Sequence, residues 1–128
     1  MLLIETEIRN SNIHGIGLFC KFPVPKGMKV WVFHPLFDFA LNEDDIEGLP
    51  ESALSFLKMY GYRSVETNEF ILNLDLSRHI NHSDKPNLIS DQYSNYYAAQ
   101  DIPAGTELTC DYREFSVSGV EEFESHVG

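Results

Sequence analysis

Apolar and polar positions alternate over short stretches, and turn residues interrupt them every few positions, which predicts a chain built mainly of short strands. Residues 2 to 8 and 17 to 22 are apolar or alternating runs flanking Asn10-Ser11-Asn12 and Gly15-Ile16-Gly17, a strand, turn, strand pattern. Pro23, Pro25 and Gly27 then break the chain before an apolar run at 28 to 33. The segment 43 to 60 differs. Acidic residues precede Pro50, and Ala53, Leu54, Phe56, Leu57 and Tyr60 follow i, i+3, i+4 spacing, so one helix is expected over 50 to 60. Residues 68 to 76 read as a strand with Phe70, Leu72, Leu74 and Leu76 on one face, although Ile71 interrupts the alternation. A tyrosine-rich strand at 93 to 100, a turn at Pro103-Ala104-Gly105 and a last strand at 107 to 112 complete the pattern.

Composition narrows the class. At 128 residues with 43% hydrophobic content, one compact domain over 1 to 116 is expected, followed by an acidic tail at 117 to 128 that is expected to be partly disordered. The tail region from Glu114 carries Phe115 and Phe123 as its aromatic residues. Cys20 and Cys110 lack CxxC or Cys/His spacing, so both read as free thiols in a reducing compartment, with no metal site. The opening Met1-Leu2-Leu3-Ile4 is soon interrupted by Glu5, Glu7 and Arg9, unlike a secretory signal, and no apolar run approaches a membrane span. An intracellular protein, cytoplasmic or nuclear, is the expectation. Nine Lys and Arg against twenty Asp and Glu give a net charge of −11, which disfavours a nucleic-acid partner and suits a basic peptide or protein. Acidity that simply maintains solubility accounts for the same number.

Three stretches in fixed order carry a more specific signal: His-Gly-Ile-Gly-Leu-Phe at 14 to 19, Arg-His-Ile-Asn-His-Ser-Asp-Lys-Pro-Asn at 78 to 87, and Gly-Thr-Glu-Leu-Thr-Cys-Asp-Tyr at 105 to 112. Together they resemble the SET-domain family of protein-lysine methyltransferases, in a small single-domain form. The resemblance implies a mainly β fold of small sheets (a β-clip) in which the segment after the Asn-His motif is threaded through a loop as a pseudoknot. It also implies S-adenosylmethionine as cofactor, with cofactor and substrate entering from opposite faces of a narrow lysine channel.

The residues themselves allow these roles. Gly15 and Gly17 lack Cβ atoms, so the backbone around Ile16 can approach the methionine moiety of the cofactor, although two nearby glycines also suit a plain turn. Asn81 offers an amide for the cofactor's polar groups, and by resemblance the backbone of His82 meets the adenine. Arg78 either approaches the cofactor or braces the fold. Pro86 and Asn87 are expected to fix the threaded turn, Asn87 by side-chain hydrogen bonds to backbone. Tyr112 is the catalytic candidate. Methyl transfer to lysine needs a neutral amine aimed at the methyl group, and a tyrosine hydroxyl can orient that amine without competing as a nucleophile. Cys110 shares a strand face with Tyr112, where many family members have Phe or Tyr, and its smaller volume predicts room for more than one methyl group in the channel.

The match also has departures. The cysteine-rich zinc segment that completes the channel in many relatives is missing, and Phe115 is the candidate for covering the adenine or the channel instead. Trp31-Val32-Phe33-His34 stands where the family has Tyr-x-Gly. A catalytically silent module that binds a basic peptide is the alternative to an enzyme, and a β-rich structural protein with chance likeness is a third reading.

Overall fold

The computed structural model describes residues 1–91 and 95–117. In chain order these form β1 (Thr6–Asn10), β2 (Ile16–Cys20), β3 (Lys29–Val32), β4 (Asp38–Leu41), α1 (Glu43–Ile46), α2 (Glu51–Tyr60), β5 (Tyr62–Arg63), β6 (Phe70–Asn73), β7 (Asn81–His82), β8 (Leu88–Ser90), β9 (Asn95–Ala98) and β10 (Thr109–Cys110). Single 3-10 turns occupy Leu76–His79 and Tyr112–Glu114. The mainly β fold of small sheets is therefore as expected, and α2 falls within the expected helix, with Pro50 as its N-terminal flanking residue.

The strands pair in four small sheets. β1 and β2 form an antiparallel hairpin from Thr6↔Cys20 to Asn10↔Ile16. Its loop closes through a 2.8 Å bond from the Ser11 amide to the Gly15 carbonyl, and Gly15 supplies the positive φ of 46° that this closure uses. A second sheet has the antiparallel order β3-β9-β8, and a third the order β4-β6-β5. β7 and β10 pair in parallel.

No strand is long enough to bury a face alone, so the sheets pool theirs. Leu18 and Cys20 of β2, Val30 of β3, Leu88 of β8 and Ala98 of β9 meet Val24, Ile102, Leu108 and Cys110 in one core. Each fully buried leucine there contributes about 1.5–3 kcal/mol over leaving it in water. Cys20 and Cys110 are both buried free thiols, as expected.

The 68 to 76 stretch departs from expectation. The strand stops at Asn73, and its buried positions are Ile71 and Asn73, while Leu74 and Leu76 are exposed. The residue that broke the alternation faces inward because β6 is the central strand of its sheet and Asn73 has a buried polar partner there. Asn73 Nδ2 donates to Asp38 at 2.9 Å, and Asp38 also accepts from the His34 amide and from the Met1 ammonium at 2.7 Å. Asp75 then takes the Ser77 amide and turns the chain into the 3-10 turn, which removes Leu74 and Leu76 from any strand.

The last described segment lies between two earlier ones. β10 runs beside β7, after which Ser116 bridges Ser64, and amides of Val65 and Val117 bond to the carbonyls of Phe115 and Arg63 at 2.9 and 2.8 Å. Asn87 bonds to backbone through its side chain, as expected: its Nδ2 donates to the Glu107 carbonyl, and its Oδ1 accepts from the Thr109 amide, both at 2.8 Å. Among the described residues no helix is long and apolar enough to cross a membrane, and no cluster of His, Cys, Asp and Glu could hold a metal ion. Phe123 and all of the expected tail but Val117 lie outside the described residues.

Candidate active site

The turn between β1 and β2, the start of β7 and the approach to β10 converge on one nitrogen. Asn81 is buried, and its Nδ2 lies 3.0 Å from the His14 carbonyl, 3.4 Å from the Ile16 carbonyl, 3.2 Å from Ser11 Oγ and 2.9 Å from Glu107 Oε2. Ser11 Oγ also bonds both Glu107 oxygens at 2.8 Å. Gly17 is a glycine for a definite reason: a Cβ there would fall on the Glu107 carboxylate. Gly15 faces open space, with nothing near the place of a Cβ. The result is an open loop backed by a dense set of oxygen acceptors, chemistry that fits a ligand carrying an ammonium group. Ser11 and Glu107 were not singled out in the sequence, because Glu107 reads as one acidic residue among many and its partner stands 96 positions away.

Pairing of β7 with β10 sets Asn81 opposite Thr109 and His82 opposite Cys110, which brings the second and third sequence motifs side by side. The His82 ring holds the backbone that follows. Its Nδ1 accepts the Tyr112 amide at 3.1 Å, which leaves Nε2 to carry the proton toward Asp84 at 3.0 Å. Arg113 bridges Asp84 and Asp111 at 3.2 and 2.7 Å, and its hydrogen bond to Asp111 holds that carboxyl below its ordinary range. Tyr112 itself donates its hydroxyl to the Ile80 carbonyl at 2.6 Å, and its ring stands 5.4 Å from both His82 and Phe115.

Beside Tyr112 opens a pocket of about 100 Å³ whose wall includes Trp31, Tyr62, Ile80, Tyr96, Cys110 and Phe115. Burial pushes the Cys110 thiol far up, assisted by Glu114 and Asp111, so it is neutral at physiological pH. Tyr96 and Tyr62 are pushed up in the same way, mainly by burial. Two polar atoms of this wall, Trp31 Nε1 and Tyr96 Oη, are buried with no hydrogen-bond partner among the described residues. A polar group entering the pocket meets hydrogen-bonding capacity that the protein leaves unused.

The structure thus gathers the expected residues into two neighbouring groups. Gly15, Ile16, Gly17 and Asn81 form the loop side, while Cys110, Tyr112 and Phe115 form the pocket side, with His82 between them. Phe115 packs against Tyr62 with centroids 4.6 Å apart and against Tyr96 and Tyr112, so it closes the pocket wall. Arg78 lines the same pocket, and its guanidinium donates to the Asn73 and Leu74 carbonyls and lies over the Phe56 and Tyr60 rings. Trp31, at the place of the family's Tyr-x-Gly, lies on the pocket wall.

A family model for the SET domain matches residues 15–113, and the chain belongs to that family. Solved structures with the same fold include a Plasmodium falciparum protein assigned as a histone methyltransferase, 20% identical, with a TM-score of 0.55 over 84% of this chain and 92% of that one. They also include ctPRC2 bound to S-adenosylmethionine in an autoinhibited conformation, 18% identical, with a TM-score of 0.62 over 95% of this chain and 17% of that one. A third is ctPRC2 in complex with two forms of histone H3, 19% identical, with a TM-score of 0.56 over 85% of this chain and 14% of that one. The chain therefore spans only a small part of the ctPRC2 chains it matches. No curated protein matches it.

Proposed function

We propose that this chain is an S-adenosylmethionine-dependent methyltransferase acting on lysine side chains of a basic protein. The observation that carries the reading is the position of Tyr112. Its hydroxyl donates to the Ile80 carbonyl at 2.6 Å, which leaves the oxygen's lone pairs to accept from an amine N–H in the pocket that Tyr112 lines. The bound cofactor supplies an electrophilic methyl on a positive sulfur. The protein's part is to orient and desolvate. Ile80, Leu88, Tyr96 and Phe115 line the pocket, and an ammonium brought among them loses hydration and gives up its proton more readily. Tyr112 then holds the neutral amine so that its lone pair is aimed along the channel. His82 holds Tyr112 in place through the amide bond to Nδ1, and the net charge of −11 favours a basic substrate. The histone-containing complex among the structural neighbours supports a protein substrate of that kind.

Gly15, Ile16, Gly17, Asn81 and His82 are the cofactor-binding residues of this reading, with Arg78 bracing the fold behind them and Phe115 closing the channel where other members have a zinc segment. Transfer of labelled methyl groups to a protein extract tests it, with Tyr112→Phe as the control. Loss of transfer by about 100-fold or more with cofactor affinity retained is the expected result. Undiminished transfer by the variant would remove Tyr112 from the centre, and a wild type that binds cofactor but transfers nothing to any protein would leave the silent peptide-binding module.

A further inference from the structure

One carboxylate at the glycine loop has a position that the methyl-transfer reading does not use. Glu107 is half-buried, and among the described residues no Lys, Arg or N-terminal ammonium forms an ion pair with it. Its partners are neutral: Ser11 Oγ at 2.8 Å and Asn81 Nδ2 at 2.9 Å. Around that Nδ2, two hydrogens face four oxygens, those of His14, Ile16, Ser11 and Glu107. Acceptors exceed donors, and among the described residues no cation pairs with the carboxylate. Such a set of acceptors suits a group that is cationic and rich in N–H donors. Gly17 has given up its Cβ to let the carboxylate sit there, and Gly15 leaves the approach open.

We propose that Glu107 is a cofactor-binding residue whose carboxylate recognises the amino-acid ammonium of the cofactor, with Ser11 as the positioning residue that holds it. The inference rests on the S-adenosylmethionine reading above. It assigns the specificity for an α-ammonium to this side chain and leaves the adenine and sulfur to other residues.

Calorimetry on the full chain tests it with two ligands: S-adenosylhomocysteine, and the same molecule with hydrogen in place of the ammonium. Wild type is expected to prefer the first. Glu107→Gln, which keeps the shape and removes the charge, is expected to weaken S-adenosylhomocysteine binding about 10- to 100-fold while leaving the deaminated ligand within about twofold. Equal losses for both ligands, or no loss for either, would overturn the proposal, because a merely structural glutamate does not distinguish them. Should the Gln variant fail to fold, Glu107→Asp carries the same comparison. Withdrawal of the charge by one methylene is expected to shrink the preference for the ammonium, and an unchanged preference would count against the proposal. A wild type that binds S-adenosylhomocysteine without preferring it refutes the role of Glu107 alone, whereas a wild type that binds neither ligand refutes the cofactor reading beneath it.

Discussion

Cys110 shows how much one side chain decides at this site. It is fully packed, its thiol stays protonated because burial opposes the thiolate, and it faces the pocket beside Tyr112 where an aromatic ring would take more space. Cys110→Phe is therefore expected to fill much of the roughly 100 Å³ pocket and to shift the product toward fewer methyl groups, read by mass spectrometry of a methylated peptide. Strict monomethylation by the wild type on a good substrate would contradict the spacious reading. Asn81, His82 and Tyr112 were legible from sequence because each sits in an unusual contiguous string. Ser11, Glu107 and Tyr96 were not, since their significance arises from contacts between distant segments or from a missing hydrogen-bond partner, and neither property has a local pattern.

At the scale of elements, the helix and most of the longer strands were readable and β10 lies within the expected last strand, whereas β4, β5, β7 and β8 were not anticipated. β7 and β10 have two residues each, too few to show a period, yet their parallel pairing joins the two motifs that build the site. β6 misled for a different reason. Its leucines mark exposed positions, while a polar residue, Asn73, turns inward to meet Asp38. α1 escaped because it is a single turn, although Asn42 and Asp45 form a capping box that announces it. The turn at Asn87 was anticipated and makes a firm prediction. Asn87→Ala strands the buried Thr109 amide and frees the Glu107 carbonyl, so the variant is expected to lose about 2–3 kcal/mol of stability in a urea titration. Because that amide belongs to β10, a loss of cofactor affinity is expected to accompany it. A loss below about 0.5 kcal/mol would show that β10 is held by other contacts.

Among the described residues, the three groups pushed furthest up stand in one place. Tyr62, Tyr96 and Cys110 all line the pocket, and each has its pKa raised, first by burial and then by neighbouring acidic groups and by one another. All three are neutral when protonated, so the folded state retains protons that the unfolded chain releases near the ordinary values of 9.0 for cysteine and 10.0 for tyrosine. The unfolded state then binds fewer protons, and stability falls as pH rises. The stabilisation is fully present below about pH 8 and is lost above it, by up to about 1.4 kcal/mol per pH unit for each group titrating fully in the unfolded chain. Urea midpoints across pH 7 to 11 check this, and a flat profile would refute it. Tyr96 separates the pocket from the rest of the fold in this test, because its hydroxyl is buried with no hydrogen-bond partner among the described residues. Tyr96→Phe removes both the unmet hydrogen bond and the titration. It is expected to leave stability at pH 7 unchanged or slightly higher and to make the alkaline fall shallower by one group's share. A steeper fall, or a loss above about 1 kcal/mol at pH 7, would show that the hydroxyl has a partner on which the pocket depends.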